Sequence, residues 1–270
     1  MARTKPEAAS GVFAEPRTVI DLEDCYFYHS MEIPGYGVVQ GPWDLRGGVD
    51  DYLGGVDLSG KRVLEVGTAS GFLCFTMEGR GAEVVAYDLS DEQSWDVVPY
   101  AQYDHESFDA DRREHLRRIN NGWWLAHRAF ESSANVVYGT VYEIPADIGR
   151  VEVATFGNVL RHLRDPFLAL ERALRLTTET VIVVENPSLR YSLPQMAASV
   201  LKPAMAFLPD ARRVQPRESW WHFTPAVIKQ MIGVLGFEDV KVGYHRSSRF
   251  DGKHKPLFTV VGRRTRPLRD

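Results

Sequence analysis

The chain has 270 residues, room for one large domain or one domain with a cap, and its 44% hydrophobic and 25% charged content is that of an ordinary globular chain. A formal net charge of −4 supplies no whole-chain field for nucleic acid or an anionic membrane. The two cysteines, Cys25 and Cys74, stand far apart, which argues against a disulfide framework or a zinc site and fits a reducing cytoplasm. No apolar run reaches about 18 residues, so no membrane span is expected.

In chain order, residues 1–10 are polar, without the core of a signal peptide, and read as a loose tail. Residues 11–60 form an extension before the first core strand. Within it, 21–29 reads as a short amphipathic helix, and the stretches around Gly35 and Gly41–Trp43 are rich in turn residues. Such an extension is expected to lie across the open end of a sheet, with Tyr28 and His29 facing a ligand. Packing in an aromatic cluster is the competing reading for both.

The first core element is Val63–Leu73. A short apolar run leads into a turn carrying Gly67 and Gly71, and then into an apolar segment that begins a helix. Strand, tight loop and helix in that order make a cradle for a nucleotide. The glycines allow close backbone approach, and the helix start offers unpaired N–H groups. The dinucleotide fingerprint fails, because Ala69 and Phe72 occupy its second and third glycine positions, and no Gly-Lys-Ser/Thr follows to make a P-loop. The second strand, 82–88, ends in Asp88, an acid placed to accept both hydroxyls of a ribose.

The connection 91–131 is longer than usual. Its part from Glu106 to Phe130 reads as one or two helices, with Trp123 and Trp124 near the end. Arg112, Arg113, Arg117 and Arg118 make a basic face, but Asp109, Asp111 and Glu114 interleave with it, so a salt-bridged solvated face is expected rather than an RNA surface. Residues 135–145 hold a third strand and its loop, and 151–160 a fourth. Asp165 then Pro166 is a helix start, an acidic N-cap followed by proline at the first position. Residues 180–185 are a continuous apolar strand suited to the middle of a parallel sheet. Residues 187–219 carry scattered prolines and methionines and read as an inserted cap. Trp220, Trp221 and His222 precede a helix capped by Thr224 and Pro225, and 240–244 with 257–262 make a final antiparallel pair. The strand–helix alternation over 61–185 predicts an α/β, Rossmann-like doubly wound fold. It has a mostly parallel sheet, a C-terminal antiparallel strand pair, an N-terminal helical extension and an inserted cap. The expected division is an extension at 1–60, a core domain at 61–262 with insert 91–131 and cap 187–219, and a tail at 263–270.

The glycine loop with its acid, Glu65-x-Gly67-x-x-x-Gly71, resembles motif I of the class I S-adenosylmethionine (SAM) methyltransferases, and the resemblance extends over roughly residues 60–262. Tyr28-His29, Gly157-Asn158-Val159-Leu160-Arg161-His162-Leu163-Arg164-Asp165-Pro166 and Trp220-Trp221-x-x-Thr224-Pro225 resemble one branch more closely. That branch includes the tRNA wobble-uridine carboxymethyltransferases and bacterial small-molecule methyltransferases of the natural-product type. The resemblance implies a cytoplasmic enzyme using SAM and releasing S-adenosylhomocysteine (SAH), with no metal. Glu65, Gly67, Thr68, Ala69 and Gly71 would hold the methionine end and Asp88 the ribose. Leu89, Thr140 and Val141 would frame the adenine, with threonine standing where the family often has an aspartate. Gly157 would sit beside the sulfonium.

Methyl transfer needs alignment and dryness more than acid–base chemistry, and a base only where the acceptor keeps its proton. His162 is the first candidate base, with His29 and His222 behind it. The alternative is that His162 orders its loop. Tyr28, Trp123, Trp124, Trp220 and Trp221 are candidates for the walls of an aromatic acceptor pocket, with core packing as the competing role. The expected reaction is methylation of a small molecule on oxygen or nitrogen. A tRNA-modifying enzyme and a non-catalytic SAM-binding scaffold are the alternatives. A dimer is compatible with all three.

Overall fold

The computed structural model describes residues 11–102, 104–187 and 202–267. The expected N-terminal tail, the first part of the cap with Met196, and the last three residues lie outside them.

The frame is an eight-stranded sheet. Its strands are β3 (Trp43–Asp44), β4 (Arg62–Val66), β5 (Glu83–Asp88), β6 (Asn135–Tyr138), β7 (Val151–Gly157), β8 (Thr177–Glu185), β11 (Asp239–Arg249) and β12 (His254–Arg263). The order across the sheet is β3-β11-β12-β8-β7-β4-β5-β6. Pairings among β4 to β8 are parallel, with Val66 opposite both Tyr87 and Phe156. β12 returns antiparallel to β8, and β11 antiparallel to β12. The sheet therefore reverses its order next to β4, and the crevice at the carboxyl ends of β4 and β7 is where a doubly wound sheet binds its ligand.

Alternation along the strands feeds two cores. Val63 packs with α2 (Phe72–Gly79), Trp123 and Leu125 on one face. Leu64 and Val66 pack on the other against Leu170 and Leu174 of α4 (Pro166–Leu176). Ile228 and Ile232 of α5 (Pro225–Val234) join that second face. The helix starts are built as their residues demand: the Asp165 carboxylate accepts from Leu168 N at 2.9 Å, and Thr224 Oγ1 from Val227 N at 3.3 Å. The insert holds one long helix, α3 (His105–Ala129).

The N-terminal extension is mostly not helical. Only a 3-10 turn, Leu22–Asp24, forms where a helix over 21–29 was expected, and Asp21 caps it by accepting from Glu23 N at 2.9 Å. After it come an antiparallel ribbon of β1 (Met31–Ile33) and β2 (Gly37–Val39), the edge strand β3, and a single turn, α1 (Val49–Tyr52). The local amphipathic pattern loses to tertiary pairing. Tyr26 N donates to the Arg118 carbonyl on α3 at 2.8 Å, and Tyr28 N to Ser70 Oγ at 2.9 Å, so the chain runs extended across the loop after β4. In the cap, β9 (Met205–Phe207) pairs with β10 (Trp221–Phe223) outside the main sheet.

Candidate active site

The turn after β4 is left-handed at three positions. Gly67 has φ +81°, Gly71 φ +88° and Ala69 φ +49°. A side chain on Gly67 would run into Val159, and one on Gly71 into Phe75 and Trp123, so both must be glycine on space as well as on φ. Ala69 takes a conformation that costs an L-residue about 1–2 kcal/mol. Gly67 N donates to the Tyr87 carbonyl at 2.8 Å and Ala69 N to Asp88 Oδ2 at 2.7 Å, which locks the loop to the end of β5. Leu89 N donates to the other Asp88 oxygen at 2.8 Å. Burial nonetheless holds the Asp88 carboxyl above its usual range. Glu65 is sealed beneath the loop at 3% exposure, accepts from Thr68 Oγ1 at 2.7 Å, and is pushed up to about 8 by burial and then by Asp88.

Above this loop lies a cavity of about 370 Å³. Of the predicted cofactor residues, Gly67, Ala69, Asp88, Leu89, Thr140, Val141 and Gly157 line it, while Glu65, Thr68 and Gly71 lie behind that lining. Tyr87 supports the far end: its hydroxyl donates to the Thr140 carbonyl at 2.9 Å and fills the space that a side chain on Gly139 would need. Gly157 ends β7 at the centre, where a Cβ would lie 2.9 Å from the Tyr52 hydroxyl.

The cavity has two covers. One is the extension, which contributes Tyr28, His29 and Trp43. The indole of Trp43 hydrogen-bonds the Tyr28 hydroxyl, and burial raises that phenol. The other is the start of the insert. Asp96 ties it down: its carboxylate accepts from Arg164 N at 2.6 Å and from the Tyr142 hydroxyl, and its carbonyl accepts from Trp220 Nε1 at 2.6 Å. Arg112, lying over the Trp95 ring and paired to Glu218 at 2.8 Å, closes the same side.

Of the three histidines, His29 and His162 line the cavity, and His222 on β10 does not. His162 Nδ1 donates to the Glu218 carbonyl, because a carbonyl can only accept, so Nε2 is the unprotonated nitrogen. Burial, helped by Arg161, pushes His162 down to about 4, and burial alone does the same for His29. Both rings are neutral at neutral pH. The tryptophans divide differently from the aromatic wall that was expected. Trp123 and Trp124, 1% and 3% exposed, pack in the core under the glycine loop, where Trp123 stacks on His127 at 4.8 Å. Trp220 is buried against the insert, and Trp221 donates to the Arg164 carbonyl at 3.3 Å. Of the aromatic wall candidates, only Tyr28 lines the cavity; Trp43, Trp95 and Tyr52 line it instead. Asn158 and Asn186 line it too, each the first residue past a strand end, a position the carboxyl-end rule would have picked out.

The charges elsewhere bear on nucleic acid. Arg117 pairs with Glu114 at 2.7 Å, and Arg118 donates to the carbonyls of Glu23 and Cys25 at 3.1 Å. Most of the arginine face of α3 is thus committed within the molecule. Among the described residues no group of three or more His, Cys, Asp or Glu is placed to hold a metal ion. No described helix is long and apolar enough to cross a membrane.

Residues 45–242 match the family model described as a methyltransferase domain. No curated protein sequence matches the chain. Among solved structures, the chain is similar to the N-terminal domain of EvdMO1 in the presence of SAH and D-fucose, at TM-score 0.50 and 17% identity, covering 90% of this chain and 92% of that one. It is also similar to magnesium protoporphyrin IX methyltransferase from Synechocystis PCC 6803 with bound SAH, at TM-score 0.48 and 13% identity over 76% of this chain and 75% of that one. A third is 1,6-didemethyltoxoflavin-N1-methyltransferase from Burkholderia thailandensis, at TM-score 0.45 and 17% identity over 77% and 72%. The sheet order, the glycine loop locked to an acidic strand end, and a family match across most of the chain agree: the chain belongs to the methyltransferase domain family, as a SAM-dependent enzyme of Rossmann-like fold.

Proposed function

We propose that the chain methylates a small molecule at oxygen or nitrogen, within the covered cavity above β4 and β7. The observation that carries this reading is the pair of covers over the cavity. The cavity falls within the range of about 300–1,000 Å³ usual for small-molecule sites, and both the extension and the insert lie over it. A tRNA loop would need an open, basic approach, and most of the arginines of α3 are already paired.

The roles follow from position. The Gly67–Gly71 loop, braced from beneath by the buried Glu65, holds the methionine end of SAM. Asp88 takes the ribose hydroxyls, and Leu89, Thr140 and Val141 frame the adenine. Gly157 leaves room beside the methyl group, where Tyr52 would collide with any larger residue. SAM supplies a methyl carbon already activated by its sulfonium. The protein aligns the acceptor atom about 3–3.5 Å from that carbon and keeps water out. As the methyl carbon–sulfur bond broke and SAH left, the proton of the newly methylated acceptor would pass to Nε2 of His162, whose tautomer is held by the Glu218 carbonyl. A neutral histidine of low basicity suits an acceptor that becomes strongly acidic only as it is methylated.

Calorimetric titration with SAM and SAH, beside an Asp88→Asn variant, tests the reading. Binding in the micromolar range that weakens at least tenfold in the variant is expected, followed by turnover of small acceptors and none of tRNA. Failure of both ligands to bind the wild-type chain would overturn it.

A further inference from the structure

The acceptor half of the cavity carries an unusual set of unsatisfied groups. His29 Nδ1, Asn158 Oδ1, Asn186 Oδ1 and Ser247 Oγ are all buried without a hydrogen-bond partner, and all four residues line the cavity. A buried polar group left without a partner is destabilising, so four around one space mark a place where a ligand completes the bonding. Their placement is built in. Asn158, at φ +61° in a conformation asparagine tolerates, donates its N–H to the Val184 carbonyl at 2.8 Å, and Asn186 follows the end of the neighbouring strand. Ser247, 5% exposed, stands opposite them on β11.

Ser247 also belongs to a second pocket, of about 290 Å³, between the chain after β3 and the β11–β12 hairpin. Leu45, Tyr52 and Ser247 line both spaces and form the wall between them. Beyond this wall, the second pocket adds His245, Asp44 and the backbone at Gly47 and Gly48. The charges decide what chemistry fits. Arg112 is held by Glu218 at 2.8 Å, Arg46 by Asp44 at 2.7 Å and Arg249 by Asp251 at 3.5 Å. Arg246 also lines the second pocket, through the stretch of β11 between His245 and Ser247, and strand alternation sets its side chain on the face opposite theirs. An anionic ligand would give up its hydration with these cations already matched and would meet Asp44. Two amide oxygens instead call for donors, while the hydroxyl and the ring nitrogen take either role, a set that neutral hydroxyl groups match.

We propose that Asn158, Asn186, His29 and Ser247 bind a neutral, polyhydroxylated part of the methyl acceptor, and that this part reaches past Ser247 into the pocket beside His245. The proposal rests on the methyl-transfer reading for its link to catalysis, but its binding chemistry is tested separately. The probe is methyl β-D-glucopyranoside, titrated by NMR against the SAH-saturated protein and against the protein without SAH, with glucuronate as the charged counterpart. Saturable binding of the glycoside is expected, at least tenfold tighter than glucuronate. It should weaken about fivefold in Ser247→Ala and in Asn186→Leu, while SAH affinity measured by calorimetry is unchanged in both. No saturable glycoside binding in either state, a preference for glucuronate, or binding untouched in both variants would overturn the proposal. Failure of SAH alone to bind, with glycoside binding intact, would instead count against the methyl-transfer reading.

Discussion

Ala69 shows how one residue carries both strain and a structural tie. It sits at φ +49° in the loop beneath the cavity, and its backbone N–H is one of the two that grip Asp88. Glycine there would relieve about 1–2 kcal/mol of left-handed strain and lose about 0.4–1 kcal/mol through the looser unfolded chain. Ala69→Gly is therefore expected to stabilise the protein by about 0.5–1 kcal/mol, read from the midpoint of urea unfolding. A destabilised variant would mean that the alanine methyl makes a contact worth more than the strain. Gly157 makes the opposite case: it ends its strand without a side chain because Tyr52 fills the space one would need.

At the scale of elements, the cover that the insert makes over the cavity hangs on Asp96. Three bonds to this residue come from the loops after β6 and β7 and from Trp220 just before β10, and the insert is tied again where Val98 N meets the Arg217 carbonyl at 2.9 Å. Removing the carboxylate strips two of the three Asp96 bonds and leaves Arg164 N and the Tyr142 hydroxyl to find water. Asp96→Ala is expected to raise the KM for SAM roughly tenfold with a smaller effect on kcat, and to open residues 89–102 to limited proteolysis. That pattern follows because the strap encloses the ligand and touches no reacting atom. An unchanged KM would show that the other ties hold the cover by themselves.

Across the whole molecule, the site's buried ionisable groups shape stability. Burial pushes Glu65 to about 8 and Glu185 to about 7, against about 4.3 for a carboxyl in an unfolded chain. Between these values the folded protein holds protons that the unfolded chain has released, so stability falls as pH rises through that window. His29 and His162, pushed down to about 4, act at the other end. The unfolded chain binds their protons first, so stability falls as pH drops below about 6.5. The melting temperature of the ligand-free protein is expected to be nearly flat between about pH 5 and 6, where the two carboxyls and the two histidines offset one another, and to decline from there toward pH 8.5, with each 1 kcal/mol worth roughly 2–4 °C in a chain of this size. Glu65→Gln should flatten the alkaline side. A melting temperature that climbs from pH 6.5 to 8.5 would contradict this account.

What could be read without tertiary structure was what short spacing encodes. Val63–Val66, the loop Gly67–Gly71 and Asp88 are each specified by neighbours a few residues away, through strand alternation, left-handed turns and a strand-ending acid. The strand–helix alternation then permits few arrangements other than a doubly wound sheet. The caps at Asp165 and Thr224 were legible for the same reason. What distant packing decides was not. Trp123 and Trp124 are as aromatic as Trp43 and Trp95, yet the first two pack beneath the loop and the last two line the cavity, because α3 presents one face to α2 and the extension crosses its middle. The extension itself lost its expected helix to hydrogen bonds with Arg118 and Ser70, partners about 40 to 90 residues away in sequence. Ser247 reached the cavity only because the hairpin of β11 and β12 closes the sheet beside β8. Local propensity set the elements and the glycine loop; which side chains meet around the cavity was settled by the packing of segments far apart in the chain, where no local pattern records the contact.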